Sequence, residues 1–408
     1  CAAFLDRSSE KLHDPFLMKD MKKAAQRILE AVRKGEKIAI YGDYDVDGVT
    51  SVSALYMYLR GLGADVCYYI PSRLKEGYGM SGDAVRRLQD EGCSLIITVD
   101  TGITAFEEAR DVLALNMELI ITDHHEAPEE LPPAFAIVNP KAQNSLDEKL
   151  SAKKIKMLTY LAGCGVALKV AQALLKHYNK PEFVLELLPL VALGTIADIV
   201  PLLGENRYFV TKGLELISKG QHYGLTRLLD SAGYNIENGI TSENIAFGIA
   251  PRINATGRLD NVNTALTLLL SDNKTEIEMA VQTLNELNKI RQNLCETTFL
   301  EADEMYQKEG TNNNAIVLYS NNWNIGIIGI VASKFVEKYY KPTFIMNYNS
   351  ETQQFRCSAR SVKGINLYEV LDANSELFEG FGGHEMAAGF AFNGNDEQFN
   401  IVKNALNK

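Results

Sequence analysis

The sequence predicts an α/β protein in which a parallel sheet flanked by helices is joined through a long helix to a smaller α/β domain. Three observations predict it. Apolar strand signals alternate with helix-length amphipathic segments through the first half of the chain, which is the pattern of repeated βαβ units. A charged segment without Gly or Pro then runs from Asp260 to Gln307 and breaks at Glu309-Gly310-Thr311-Asn312-Asn313-Asn314, after which βα patterning restarts. The chain has 408 residues, more than one ordinary domain of about 100–200 residues. The expected division is a catalytic domain over 1–260, a connecting helix over 261–312 and a second domain over 313–408.

The elements follow in order. A helix is expected from Asp20 to Lys34, a strand from Lys37 to Tyr41, a helix near Val49 to Leu62 and a strand from Ala64 to Ile70. Further apolar runs read as strands at Leu95 to Val99, Leu119 to Ile121 and Ala134 to Val138. In the last third, strands are expected at Ala315 to Tyr319, Thr343 to Met346 and Gln354 to Ala359, with a helix near Ile327 to Tyr339. Ligands of a parallel sheet gather at the carboxyl ends of its strands, so that edge is where chemistry is expected.

Three strand ends there carry acids and imidazoles. The first runs into YGDYDVDG, residues 41 to 48, where Asp43, Asp45 and Asp47 occupy every second position. Alternate residues of an extended chain share a face, and like charges that close call for a counter-ion. The spacing matches the first half of an EF-hand loop, but position twelve falls on Ala54 instead of a bidentate Glu, and a strand precedes the loop where a helix should. The second strand ends in Asp100 and the third in Asp123-His124-His125. A fourth acid, Asp198, is the one charge in the apolar stretch Leu188 to Leu203, and a buried carboxylate needs a partner such as a metal. Carboxylates in this number with one or two imidazoles suit Mn²⁺ or Mg²⁺ better than zinc, and they suffice for two ions. Two ions about 4 Å apart are the arrangement used to hydrolyse phosphate esters.

Candidate anion-binding groups lie further on. Pro251-Arg252-Ile253-Asn254-Ala255-Thr256-Gly257-Arg258 sets two cations among small residues. Arg356, Ser358 and Arg360 alternate on an expected strand and share a face. Gly382-Gly383 allows close backbone approach, with His384 as a donor.

Composition narrows the function classes. A net charge of −11 argues against coating nucleic acid by bulk electrostatics, although metal ions and local arginines can grip a phosphodiester. No apolar run approaches the ~20 residues of a membrane span. The first residues lack the layout of a secretory signal, and the missing Met points to trimmed or omitted residues; cytoplasm is the expected location. Six cysteines without a C-x-x-C pair signal neither a zinc knuckle nor a disulfide framework.

Taken together, YGDYDVDG, Ile70-Pro71-Ser72-Arg73 with Glu76-Gly77-Tyr78-Gly79, VDTGI at Asp100, Asp123-His124-His125, LAGCGVALK from Leu161, ADIVPL at Asp198, PRINATGR, WNIGIIGIVAS from Trp323 and GFGGH resemble the DHH phosphoesterase superfamily, in its RecJ branch of bacterial single-strand-specific exonucleases. The resemblance covers nearly the whole chain. It implies a DHH domain and a DHH-associated domain with the catalytic cleft between them. It also implies Asp45, Asp47, Asp100, His124 and Asp198 as metal ligands, with Asp43 and His125 in or beside the ligand shell. Arg73, Arg258, Ser358 and Arg360 would hold the strand, supported by Arg252, Gly383 and His384. The implied reaction is Mn²⁺- or Mg²⁺-dependent hydrolysis of single-stranded DNA from the 5′ end to 5′ mononucleotides, in DNA repair and recombination, alongside repair or replication proteins that the sequence does not identify.

The chain departs from the pattern at Tyr41 and Asn324, where the family often has His, and over residues 144 to 158. It ends at Lys408, where RecJ proteins continue into an OB-fold that grips the strand. The alternatives are an oligonucleotide or cyclic-dinucleotide phosphodiesterase and a non-catalytic replication scaffold.

Overall fold

The computed structural model describes residues 12–73, 76–142, 146, 151–178, 181–259, 261–310 and 313–408. The first eleven residues, the expected boundary residues Asp260 and Asn312, and most of 144–150 lie outside the described residues. Contacts divide the chain into two compact units, Cys1–Leu287 and Asn288–Lys408.

The first unit is built on a five-stranded sheet in the order β2-β1-β3-β4-β5. Its strands are β1 (Lys37–Gly42), β2 (Val66–Tyr69), β3 (Cys93–Val99), β4 (Glu118–Thr122) and β5 (Ala136–Val138). Every pairing is parallel. Period-two alternation sends Ile38, Ile40, Leu95, Ile97 and Ile120 into one core. Ala39, Tyr41, Ile96, Leu119 and Ile121 go into another on the opposite face. Both faces are therefore covered, as a parallel sheet requires, and the strands read as continuous apolar runs. The larger core takes in the helices Val46–Gly61, Gly163–Tyr178 and Leu188–Ala197, which pack on one another.

The helix after β1 starts at Val46, three residues before the expected position. Asp45 is its N-cap, with Oδ1 accepting from Gly48 N at 2.9 Å; the cap, not the apolar periodicity, sets the start. Strands β2 and β5 are shorter than expected. The span 261–312 carries two helices, Val262–Leu270 and Lys274–Glu309, separated by Ser271–Asn273. Ser271 Oγ accepts from Asn273 N, and Asn273 Oδ1 accepts from Thr275 N, both at 3.0 Å. These short polar side chains offer the backbone a turn that helical patterning does not reveal.

The second unit carries a mixed five-stranded sheet in the order β6-β7-β8-β10-β9: β6 (Ile316–Ser320), β7 (Thr343–Asn349), β8 (Gln354–Arg360), β9 (Gly380–His384) and β10 (Ala387–Asn393). Only β6 and β7 pair in parallel. Phe344, Phe355, Phe390, Phe392 and Phe399 fill the core on one side. Trp323, Ile328, Val331, Phe335 and Ile345 form a second core. GFGGH, whose glycine pair reads from sequence as allowing close backbone approach, is the edge strand β9. At Gly383, with φ +138°, an added Cβ would come within 2.4 Å of Ala388 Cα. The close approach there is to β10, and only glycine fits.

Candidate metal centre

The strand order of the first sheet reverses between β1 and β3, and open α/β sheets bind ligands at such a crevice. Asp43, Asp45 and Asp47 follow β1, Asp100 follows β3, and Asp123-His124-His125 follow β4. Asp198 reaches the same place as the C-cap of the helix Leu188–Ala197.

The donor atoms converge. His124 Nε2 lies 3.0 Å from Asp100 Oδ1, 3.6 Å from Asp198 Oδ2 and 3.7 Å from Asp47 Oδ2. Three groups each offer one ligand atom per residue within 4.8 Å of the others: Asp100 with His124 and His125, Asp47 with His124 and Asp198, and Asp43 with Asp45 and Asp100. The buried atoms Asp43 Oδ1, Asp100 Oδ1, His124 Nδ1 and His124 Nε2 nevertheless have no hydrogen-bond partner. Unpartnered buried polar atoms are costly and rare, and four at one sheet edge mark a place for a cation.

Electrostatics agree. Burial and the neighbouring Asp45 push the Asp43 carboxyl well above its ordinary range. Burial and Asp47 do the same for Asp100 and raise the Asp45 carboxyl, and they raise Asp198 to about 8. Burial keeps His124 in the neutral, ligating form. These acids cannot all ionise without added positive charge. The set of carboxylates and one or two imidazoles fits Mn²⁺ or Mg²⁺.

The scaffold holds these groups by backbone donors. Asp47 accepts from Gly163 N at 2.6 Å and Cys164 N at 3.0 Å, at the start of the helix Gly163–Tyr178. Gly163 must be glycine, since a Cβ would lie 2.5 Å from that of Asp100. Asp100 takes a left-handed φ of +59°.

Three positioning residues were given no role in the sequence reading. Asp123 is not at the convergence point. Its Oδ1 accepts from His124 N at 2.7 Å and His125 N at 3.1 Å, its Oδ2 from Ile103 N at 3.0 Å, and its Oδ1 lies 2.7 Å from His125 Nδ1. Burial alone would lower the His125 pKa, but the hydrogen bond and charge of Asp123 prevail and raise it to about 9. Asn139 Nδ2 donates to His125 O at 2.9 Å, and Asn254 Oδ1 accepts from Val46 N at 3.2 Å. Their one signal was a short polar residue beside a ligand motif.

The arginines separate into two kinds. The Arg73 guanidinium lies 5.2 Å from the centre of the Tyr44 ring, beside the acid triplet. Arg258, in the last turn of the helix Ala250–Arg258, acts electrostatically on the same tyrosine. Arg252 instead braces its own unit, donating Nε to Asn285 Oδ1 at 2.7 Å and NH1 to Gly248 O at 2.5 Å. The Tyr78 ring packs edge-on to His125 with centroids 6.1 Å apart.

In the second unit, Ser358 and Arg360 project from β8 on the face opposite Phe355 and Cys357, with Arg360 NH1 3.3 Å from Ser358 Oγ. Arg356 pairs instead with Gln354, Nε to Oε1 at 2.8 Å. Gly329, in the first turn of the helix Ile328–Tyr339, sits against this pair, and a Cβ there would come 2.8 Å from Ser358 Oγ and 3.1 Å from Arg360 NH2. Arg360, Ala387 and His384 share a row across β8, β10 and β9, so His384 stands about 10 Å from Arg360 in that row. An open depression lined by Leu202, Arg207, Tyr208 and Lys212 shares no residue with the acidic cluster.

Fold and site define a DHH-class protein. The pattern of the DHH family, N-terminal domain, matches residues 37–195, and that of the DHHA1 domain matches residues 312–408. The single-stranded-DNA-specific exonuclease RecJ of Bacillus subtilis (strain 168) is 43% identical over 397 residues, covering 96% of this chain and 48% of that protein. RecJ of Haemophilus influenzae is 34% identical over 426 residues, covering 99% and 71% respectively. A crystal structure of exonuclease RecJ bound to manganese matches with a TM-score of 0.81 at 36% identity, covering 96% of this chain and 94% of that one. RecJ from Thermus thermophilus in complex with Mg²⁺ matches with a TM-score of 0.73 at 32% identity, covering 96% and 52%. The chain belongs to the RecJ family, and it spans about half the length of the Bacillus relative. No helix among the described residues is long and apolar enough to cross a membrane.

Proposed function

We propose that the chain is a Mn²⁺- or Mg²⁺-dependent exonuclease that hydrolyses single-stranded DNA from its 5′ end to 5′ mononucleotides. The observation that carries this reading is the convergence of unpartnered buried carboxylate and imidazole atoms at the β1/β3 crevice. The names of the relatives support the substrate. Asp45, Asp47, Asp100, His124 and Asp198 would hold two ions, with Asp43 beside them. The ions, when bound, would lower the pKa of a water and take up charge on the phosphate.

The chain's own groups do the rest. Asp123 orients the His125 imidazole and holds the His124 backbone, and His125 carries its proton at neutral pH, offering positive charge to a phosphate. Arg73 and Arg258 supply cations beside the acids, while Arg252 acts as a brace. Ser358 and Arg360 form the anion-binding pair of the second unit, with Gly383 and His384 on the neighbouring hairpin. In this reading residues 1–260 are catalytic, 261–312 connect, and 313–408 bind substrate. The substrate assigns the protein to the cytoplasm and to DNA repair and recombination, where repair or replication proteins would be its partners.

The test is a time course with Mn²⁺ on a single-stranded oligonucleotide labelled at its 3′ end, beside a dinucleotide. Progressive shortening from the 5′ end, faster than dinucleotide cleavage, is expected. Efficient dinucleotide cleavage with little attack on the longer strand would overturn this reading in favour of a small-substrate phosphodiesterase.

A further inference from the structure

The helix Leu188–Ala197 ends on Asp198, whose N donates to Gly194 O at 2.9 Å. The next residue occupies the left-handed position at which helices usually place glycine, because a Cβ is unfavourable there and a β-branched one more so. The residue is Ile199, with φ +59°. The other non-glycine residues with positive φ among those described are Asp20, Asp100, Asn116, Tyr340 and Gln353, none of them β-branched. Its side chain is also 88% exposed, more than any other large apolar side chain among the described residues. Neither backbone preference nor core packing therefore accounts for isoleucine here. Both favour glycine or asparagine, and backbone strain that packing does not reward is concentrated at functional sites.

Ile199 follows directly on Asp198, whose Oδ2 is 3.6 Å from His124 Nε2, so it stands at the rim of the acidic cluster. A nucleotide whose phosphate lies at those acids presents polar phosphate and sugar edges to them, and its one apolar surface is the base. We infer that Ile199 is a substrate-positioning residue that makes an apolar contact with the nucleobase next to the scissile phosphate. Such contacts are sequence-tolerant, since every base has an apolar face. The inference rests on the proposed exonuclease reading and deepens it.

Ile199→Gly and Ile199→Asn relieve the backbone while removing the contact, so stability and substrate use move in opposite directions. Both variants are expected to melt above the wild type and to raise KM for a single-stranded oligonucleotide about tenfold with little change in kcat. Ile199→Leu, which keeps a large apolar side chain, restores a KM near that of the wild type. On a strand whose 5′-terminal residues are abasic, wild type and Ile199→Gly should share one KM. A glycine variant with wild-type KM on the intact strand would overturn the contact while leaving the exonuclease reading in place. An unchanged KM gap on the abasic strand would do the same. Failure of the wild type to hydrolyse the strand at all would overturn both.

Discussion

Two of the places where the first unit buries charge are treated oppositely. Lys169 and Glu205 are fully buried and face each other, Nζ to Oε1; Glu205 Oε1 also accepts from His13 N at 2.9 Å, and Lys169 Nζ donates to His13 O at 2.8 Å. That cluster contains its own counter-charge. At the β1/β3 crevice the acids outnumber the cations, and Asp43, Asp100 and His124 keep four buried atoms without hydrogen-bond partners, where the lysine–glutamate cluster leaves only Glu205 Oε2. The fold can pair a buried carboxylate when only stability is at stake. An acid cluster left unpaired in the same unit is built for something supplied from outside.

Substitutions on each side should break this contrast in opposite senses. Asp100→Asn is expected to lower hydrolysis in Mn²⁺ by roughly 10³-fold or more, since metal stabilisation of the reacting phosphate is worth several kcal/mol. The same change should raise the metal-free unfolding midpoint by removing like-charge repulsion, an outcome read by calorimetry. Lys169→Met should destabilise the chain by about 3–5 kcal/mol in denaturant titration, because Glu205 is left buried and alone, and adding Glu205→Leu should recover most of the loss.

Smaller effects sharpen the same comparison. Mn²⁺ at 100 times its Kd should stabilise the wild type by about 2.7 kcal/mol and the Asp100→Asn protein far less. Asp123→Asn should weaken metal affinity about 10- to 100-fold, since Asp123 positions the His125 imidazole and the His124 backbone without standing at the convergence point; titration with Mn²⁺ measures it.

The smallest effect concerns His222, which burial holds neutral with a pKa lowered to about 4 and whose Nδ1 accepts from Leu225 N at 3.3 Å. The unfolded chain takes up this proton near the ordinary pKa of about 6.5. The contribution of His222 is therefore complete above about 6.5 and is lost as pH falls toward 4. The residue keeps some solvent contact, so the loss is about 1–2 kcal/mol. His222→Gln should flatten that part of the stability curve, whereas an unchanged slope would assign it to other groups.

The fold class was legible because both faces of the first sheet are covered, so Leu95 to Val99 and Leu119 to Ile121 stand out as uninterrupted apolar runs. The residues that converge were legible because Asp43, Asp100 and His124 follow such runs directly. What escaped depends on side-chain-to-backbone hydrogen bonds, which leave no periodicity. Asp123 holds two histidines, Asn254 steadies Val46, and Ser271 with Asn273 separates two helices. Strand β9 escaped because three of its five residues are glycine, with no side chains to alternate. Arg252 could not be told from Arg258 by composition, since only its partners, Asn285 and Gly248, identify it as a brace.

The most direct test is titration of Mn²⁺ into the metal-free wild type and Asp100→Asn proteins, with thermal unfolding followed at each concentration. The wild type should begin as the less stable of the two and overtake the variant as metal is added, with the curves crossing. A wild type that starts above the variant and does not respond to Mn²⁺ would contradict the claim that this edge is built to hold a cation.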